Sequence, residues 1–291
     1  MRMRRKNGAY IEAEGRERGG SMRAGRLKTR RYKVRRSGRG AALVLLLLTI
    51  GCGAAWLLRE DVQALLLSPA PTLSPADAAA ESRTVTLPGK TWYTLQLGVF
   101  EQQDAADALA ESYRGRGAGG YVLLEEHYRV LAAGYETRAD AQAVQTQLRT
   151  GHQVDAYIWE LARPEITMRL SGQRAQLTAL TDALDGLDKL AEHLSALSQG
   201  LDNRAVAGEE ARRALASEQE TAAALASRLR QLFGEAPHAA VAQITLLLDD
   251  LSAALGQTAA VSGETRLGAQ IKYCQLLCIS RMAAFAAGLA P

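Results

Sequence analysis

The chain has 291 residues, 47% hydrophobic and 5% aromatic, with 26 Gly and seven Pro spread unevenly. This composition excludes collagen-like and globally disordered chains, and the length suits an anchor plus one or two small domains. The charge of +4 belongs to a tail: residues 1–39 hold 15 Lys and Arg against three Glu, whereas residues 40–291 hold 20 against 28 Asp and Glu. Three Cys and four His, with no two His at ligand spacing, exclude a disulfide framework and a zinc centre, so neither a metal nor another cofactor is expected.

After Arg35, Arg36 and Arg39, residues 40–58 form a run of 19 without charge. A hydrocarbon core of about 30 Å needs roughly 20 helical residues, so this stretch is read as a transmembrane helix. Its positive flank places residues 1–39 in the cytoplasm and everything after Leu58 outside. A cleaved signal peptide is the weaker reading, because a small-residue cleavage pattern is poor. Lipidation at Cys52 is weaker still, since Thr49 stands where a lipoprotein signal usually has Leu. The arginines of the tail adjoin a membrane segment, where topology and anionic lipid account for them, so no nucleic-acid partner is expected.

Residues 59–90 carry Pro69, Pro71, Pro75 and Pro88 around an Ala/Ser-rich interval, which predicts an extended spacer without a core. From 91 to 161 the pattern becomes that of a compact domain. Residues 92–100 alternate, with Tyr93, Leu95, Leu97 and Val99 on one side and Trp92, Thr94, Gln96, Gly98 and Phe100 on the other. A helix over 104–114 stops at the Gly115, Gly117, Gly119, Gly120 cluster. Strands 121–124 and 128–133 form a hairpin, a helix runs over 138–150 to Gly151, and a last strand covers 154–159. The order β-α-β-β-α-β predicts an α+β domain of ferredoxin/RNP-like form, with both helices on one face of a four-stranded antiparallel sheet and the other face open.

The segment Leu95-Gln96-Leu97-Gly98-Val99-Phe100, followed by Ala106 and Leu109, and the segment Tyr128-Arg129-Val130-Leu131-Ala132-Ala133-Gly134, followed by Ala141, resemble the SPOR (sporulation-related) domain family. Its pattern is a Gln-x-Gly-x-Phe half and a Tyr-Arg-Val-x-x-x-Gly half, each leading into an Ala-marked helix. The resemblance covers residues 91–161. It implies binding of peptidoglycan glycan strands stripped of their stem peptides, at a septum formed in sporulation or cell division. Strand parity puts Trp92, Gln96, Phe100, Arg129, Tyr157 and Trp159 on the open face, where rings beside amide and guanidinium donors suit a sugar chain. These six are the expected glycan-binding residues.

From residue 166 onward the spacing is helical. Leu177, Leu180, Leu184, Leu187, Ala191 and Leu194 recur at three and four, and three further amphipathic segments follow. Residues 165–290 therefore read as an antiparallel helical bundle. Cys274 and Cys278 lie one helical turn apart and read as small core residues. No set of side chains resembles a catalytic centre, so an enzyme is not expected. The expectation is a single-pass envelope protein that binds septal peptidoglycan. The alternative is a non-enzymatic scaffold whose bundle self-associates or recruits division or sporulation partners, the small domain being mainly structural.

Overall fold

The computed structural model describes residues 80–234, 237–258 and 261–290. The basic tail (1–39), the expected transmembrane stretch (40–58) with Cys52, and the spacer before residue 80 lie outside the described residues. Everything described falls in one compact unit, Pro71–Pro291.

Among the described residues the chain is α+β, with six helices and two small antiparallel sheets. The order is β1 (Ala80–Leu87), β2 (Lys90–Phe100), α1 (Gln103–Arg114), β3 (Tyr121–Leu124), β4 (Tyr128–Tyr135), α2 (Arg138–His152), β5 (Tyr157–Arg163) and β6 (Ile166–Gln173). Four long helices follow: α3 (Arg174–Asp202), α4 (Gly208–Phe233), α5 (Ala239–Thr258) and α6 (Glu264–Leu289).

Strands β3-β4-β2-β5 lie side by side in that order, every neighbouring pair antiparallel. Helices α1 and α2 both cover one face. They approach closely because the residues they turn to the sheet, Ala106, Ala110 and Ala141, are small and fully buried. Thr137 caps α2 by accepting from the Asp140 N–H at 3.1 Å. The glycine cluster after α1 is required at Gly120: its φ is +56°, and a Cβ there would lie 2.6 Å from the Ala110 carbonyl oxygen.

Two expectations fail at the domain edges. The end of the spacer, Ala80–Leu87, is a strand, and the segment Ile166–Gln173, expected to begin the bundle, is its antiparallel partner. Leu87 faces Ile166 and Lys90 faces Arg163, so two residues intervene on each side and the β1–β6 ladder continues the β2–β5 ladder in register. Pro88 and Pro164, which cannot donate to a ladder, sit in the break. Strand β6 alternates, and β1 does so from Thr84 onward: Leu87 and Ile166 are buried, while Ser82, Thr84, Thr86, Thr167, Arg169 and Ser171 face solvent and Arg83 is exposed as well.

Loops of five residues return each of α4, α5 and α6 on the helix before it, giving the expected bundle. Its core is built from Leu184, Leu187, Leu194, Leu215, Leu229, Ile244, Leu248, Leu251, Leu255 and Leu267. Helix α5 is long and apolar enough to cross a membrane, but here Ile244, Leu248, Leu251 and Leu255 are core residues of the bundle.

The sheet and the bundle share one hydrophobic core. Helix α6 is buried on several sides, with Cys274, Gln275, Leu276, Leu277, Cys278, Ile279 and Ser280 consecutively inaccessible. A helix buried almost all round must lie between two layers. On one side it meets the bundle, and on the other it crosses the sheet face opposite α1 and α2. The Tyr273 ring meets Tyr121 of β3 edge to face at 5.6 Å. Further along, Gln275 and Ile279 press on Gly134 of β4, and Cys278, Ile279 and Met282 then reach Trp92 and Leu161 of β2 and β5. The face expected to be open is thus covered over half its extent. Burial holds the Cys274 thiol up to about 12 and raises Cys278 further, and both are free.

Candidate binding face

The covered half of the face is sealed by polar contacts as well as by apolar ones. The Gln275 side chain, fully buried, donates to the Gly134 carbonyl at 3.0 Å and accepts from the Gly134 N–H at 3.3 Å. A Cβ at Gly134 would stand 3.0 Å from Ile279 Cδ1, which explains the glycine that closes the second half-motif. Lys272 of α6 ties down the loop before β3, donating to the Gly117 carbonyl at 3.0 Å and pairing with Asp202 at 2.8 Å. At the far end Arg163, 6% exposed, donates to both carboxylate oxygens of Asp188 on α3 and to the Pro88 carbonyl. Lys90 pairs with Glu192 at 2.6 Å and lies 4.6 Å over the Trp92 ring.

Trp92 belongs to this covered half. It is 4% exposed, packed among Leu161, Leu187, Ala191 and Ile279. The expectation that it faces solvent is corrected: strand parity identifies its face rightly, but the bundle lies on that face.

Phe100 is corrected for a different reason. The β2–β4 ladder shifts twice, so β4 carries an extra residue between the Thr94–Gly134 and Gln96–Leu131 pairs, and β2 carries one between Gln96–Leu131 and Gly98–Val130. The second bulge reverses the parity of β2 beyond Leu97. Phe100 turns toward α1, among Ala106, Leu109 and Tyr128. Its ring lies 2.9 Å from where a Gly98 Cβ would be, so the glycine of the first half-motif makes room for it. Val99, expected to point at the helices, instead takes the other face at 41% exposure.

The uncovered half brings together the remaining four expected residues. In the ladders Gln96 stands opposite Tyr157 on one side and Leu131 on the other, and Val99 stands opposite Arg129, so these side chains share the face. Arg129 is the hub. Its Nη1 donates to Gln96 Oε1 at 2.8 Å, its Nε donates to Glu125 Oε2 at 3.1 Å, and its guanidinium lies 5.2 Å over the Trp159 ring. Trp159 is half-buried at the margin of the shared core, its carbonyl accepting from the Thr94 hydroxyl at 2.9 Å. Tyr157 is 64% exposed and is the ring of this patch most open to solvent.

The patch therefore offers one free aromatic face, an amide, and a guanidinium partly neutralised by Glu125. Glu125 escaped the sequence reading, although its place as the first residue of the β3–β4 turn and its spacing of four from Arg129 bring the two together across the hairpin. Such a surface can stack an apolar sugar face and hydrogen-bond its substituents. Among the described residues no three His, Cys, Asp or Glu side chains gather as metal ligands would. Compared with known proteins, the chain matches no family model, no curated protein and no solved structure.

Proposed function

We propose that this protein is a membrane-anchored, extracytoplasmic peptidoglycan-binding protein that recognises denuded glycan strands at a septum formed in division or sporulation. One observation carries the reading: Gln96, Arg129, Trp159 and Tyr157, on three different strands, converge on the part of the sheet that α6 leaves uncovered. The two SPOR-like half-motifs supply Gln96 and Arg129 from neighbouring strands, and their other members have packing roles, Gly98 beneath Phe100 and Gly134 beneath α6. The uncharged run at 40–58 with its basic flank supports the anchor and the outward placement. The chemistry proposed is binding, with no bond made or broken.

Cosedimentation of the full-length protein, in detergent micelles, with purified peptidoglycan sacculi tests this. The protein is expected to sediment more strongly with sacculi whose stem peptides an amidase has removed than with untreated ones. Failure to sediment with either contradicts the reading. Protease added to intact spheroplasts should remove residues 80–290, and protection of those residues contradicts the outward placement.

A further inference from the structure

We infer that Gln96 is held as a fixed hydrogen-bond donor, with Arg129 as its positioning residue, so that the site reads a carbonyl acceptor such as the acetamido group of an N-acetylated sugar. The inference rests on the glycan reading above and refines what that site selects. An amide can present either its oxygen or its NH2 group, and a guanidinium can only donate. With Arg129 Nη1 donating at 2.8 Å, the Gln96 oxygen is committed inward and its NH2 group is left turned away. No described residue accepts from that group. Glu125 holds the guanidinium from its other edge through Nε, and the Trp159 ring lies against its plane, so the polarity of the amide is set by three contacts rather than by chance.

The same contacts divide the roles of the two rings. The Arg129 guanidinium occupies a face of Trp159, which makes that ring part of the support. Tyr157, opposite Gln96 in the ladder and largely exposed, is the ring a sugar can stack on. A ligand seated on Tyr157 places a substituent at the Gln96 NH2 group a few ångströms away, since directly opposed side chains stand about 5 Å apart at Cβ. A hydroxyl can meet that donor as acceptor too, but a carbonyl oxygen accepts without having a proton of its own to place.

Competition tests this with the full-length protein bound to stripped sacculi. The N-acetylglucosamine tetramer and the glucose tetramer are compared for the concentration that releases half of the protein. Wild type is expected to respond to the N-acetylated tetramer at a concentration about threefold to tenfold lower, the worth of one neutral hydrogen bond. Gln96→Glu, which removes the donor at constant shape, should bring the ratio near one, as should Arg129→Met, and Arg129→Lys should restore it. Tyr157→Ala should weaken both competitors and leave the ratio. A ratio near one in wild type, or a ratio that survives Gln96→Glu and Arg129→Met, overturns the donor assignment alone. Absence of any sacculus binding by wild type overturns the glycan reading and this inference with it.

Discussion

The two halves of the sheet face opposite α1 and α2 come from the same four strands and differ in what lies over them. The covered half is apolar and glycine-bearing, with Trp92, Leu131, Gly134 and Leu161 fitted to α6, and its polar atoms are satisfied by Gln275, Lys272 and Arg163. The open half keeps an amide, a guanidinium, a carboxylate and a free ring, held to one another and not to the bundle. The same four strands thus serve stability at one end and, in the function proposed above, recognition at the other. Side-chain chemistry marks the boundary, which falls at Trp159, half-buried against the shared core, while Tyr157, two residues away on the same strand, is largely exposed.

If that contrast is right, substitutions in the covered half should cost stability and those in the open half should not. The largest effect is expected from Trp92→Ala, which empties a buried aromatic site between sheet and bundle and should cost about 3–5 kcal/mol in urea denaturation. Because the core is shared, tryptophan fluorescence and helical circular dichroism should lose their signals at one denaturant midpoint. Separate midpoints would mean that the two layers fold independently. Next, Asp188→Ala strands the buried Arg163 guanidinium, and the expected loss is about 3 kcal/mol. Gln275→Leu leaves the Gly134 N–H and carbonyl buried without their partner and should cost about 1–3 kcal/mol.

A pH-dependent effect, smaller than these only near pH 9, follows from the buried thiols. Their folded-state values lie above the unfolded one, so they do not affect stability below about pH 8.5, and stability falls as pH rises toward 12 while the unfolded chain alone ionises. The slope contributed is about 1.4 kcal/mol per pH unit for each thiol. Correspondingly, an aromatic disulfide reagent at pH 8 should modify Cys274 and Cys278 only at the rate of unfolding, and rapid labelling of native protein would show that α6 is not sandwiched. Smallest of all, Tyr157→Ala should change stability by less than about 0.5 kcal/mol, since the ring is exposed.

Most of the elements were legible in the chain because their periodicities are local. The strand of 121–124, the two Ala-marked helices and the four-helix seam stand where alternation and three-four spacing put them. What escaped was long-range or one residue in size. Strand β1 alternates only at Val85 and Leu87, it is preceded by a Pro/Ala/Ser spacer, and its partner β6 lies more than seventy residues away, where it reads as the start of a helix. Phe100 was misplaced by the single extra residue of a bulge, which no period-two pattern announces. Gln96, Arg129, Tyr157 and Trp159 were legible as a set because strand parity put all four on one face, the half-motifs adding weight at Gln96 and Arg129. Trp92 was not, since parity gives a face and not what rests on it. A signal was present even so: the nearly unbroken apolar run in α6, Leu276-Leu277-Cys278-Ile279, has too little polar surface for a helix with one wet side.

The most direct test of the central claim, that the half left open by α6 is where glycan binds, is sacculus cosedimentation of a Gln96→Ala, Tyr157→Ala double variant of the full-length protein beside wild type. Losing one hydrogen bond and one stacking ring is expected to weaken binding about tenfold or more at an unchanged melting temperature. Undiminished binding by the folded double variant would contradict the claim and place the ligand away from this face.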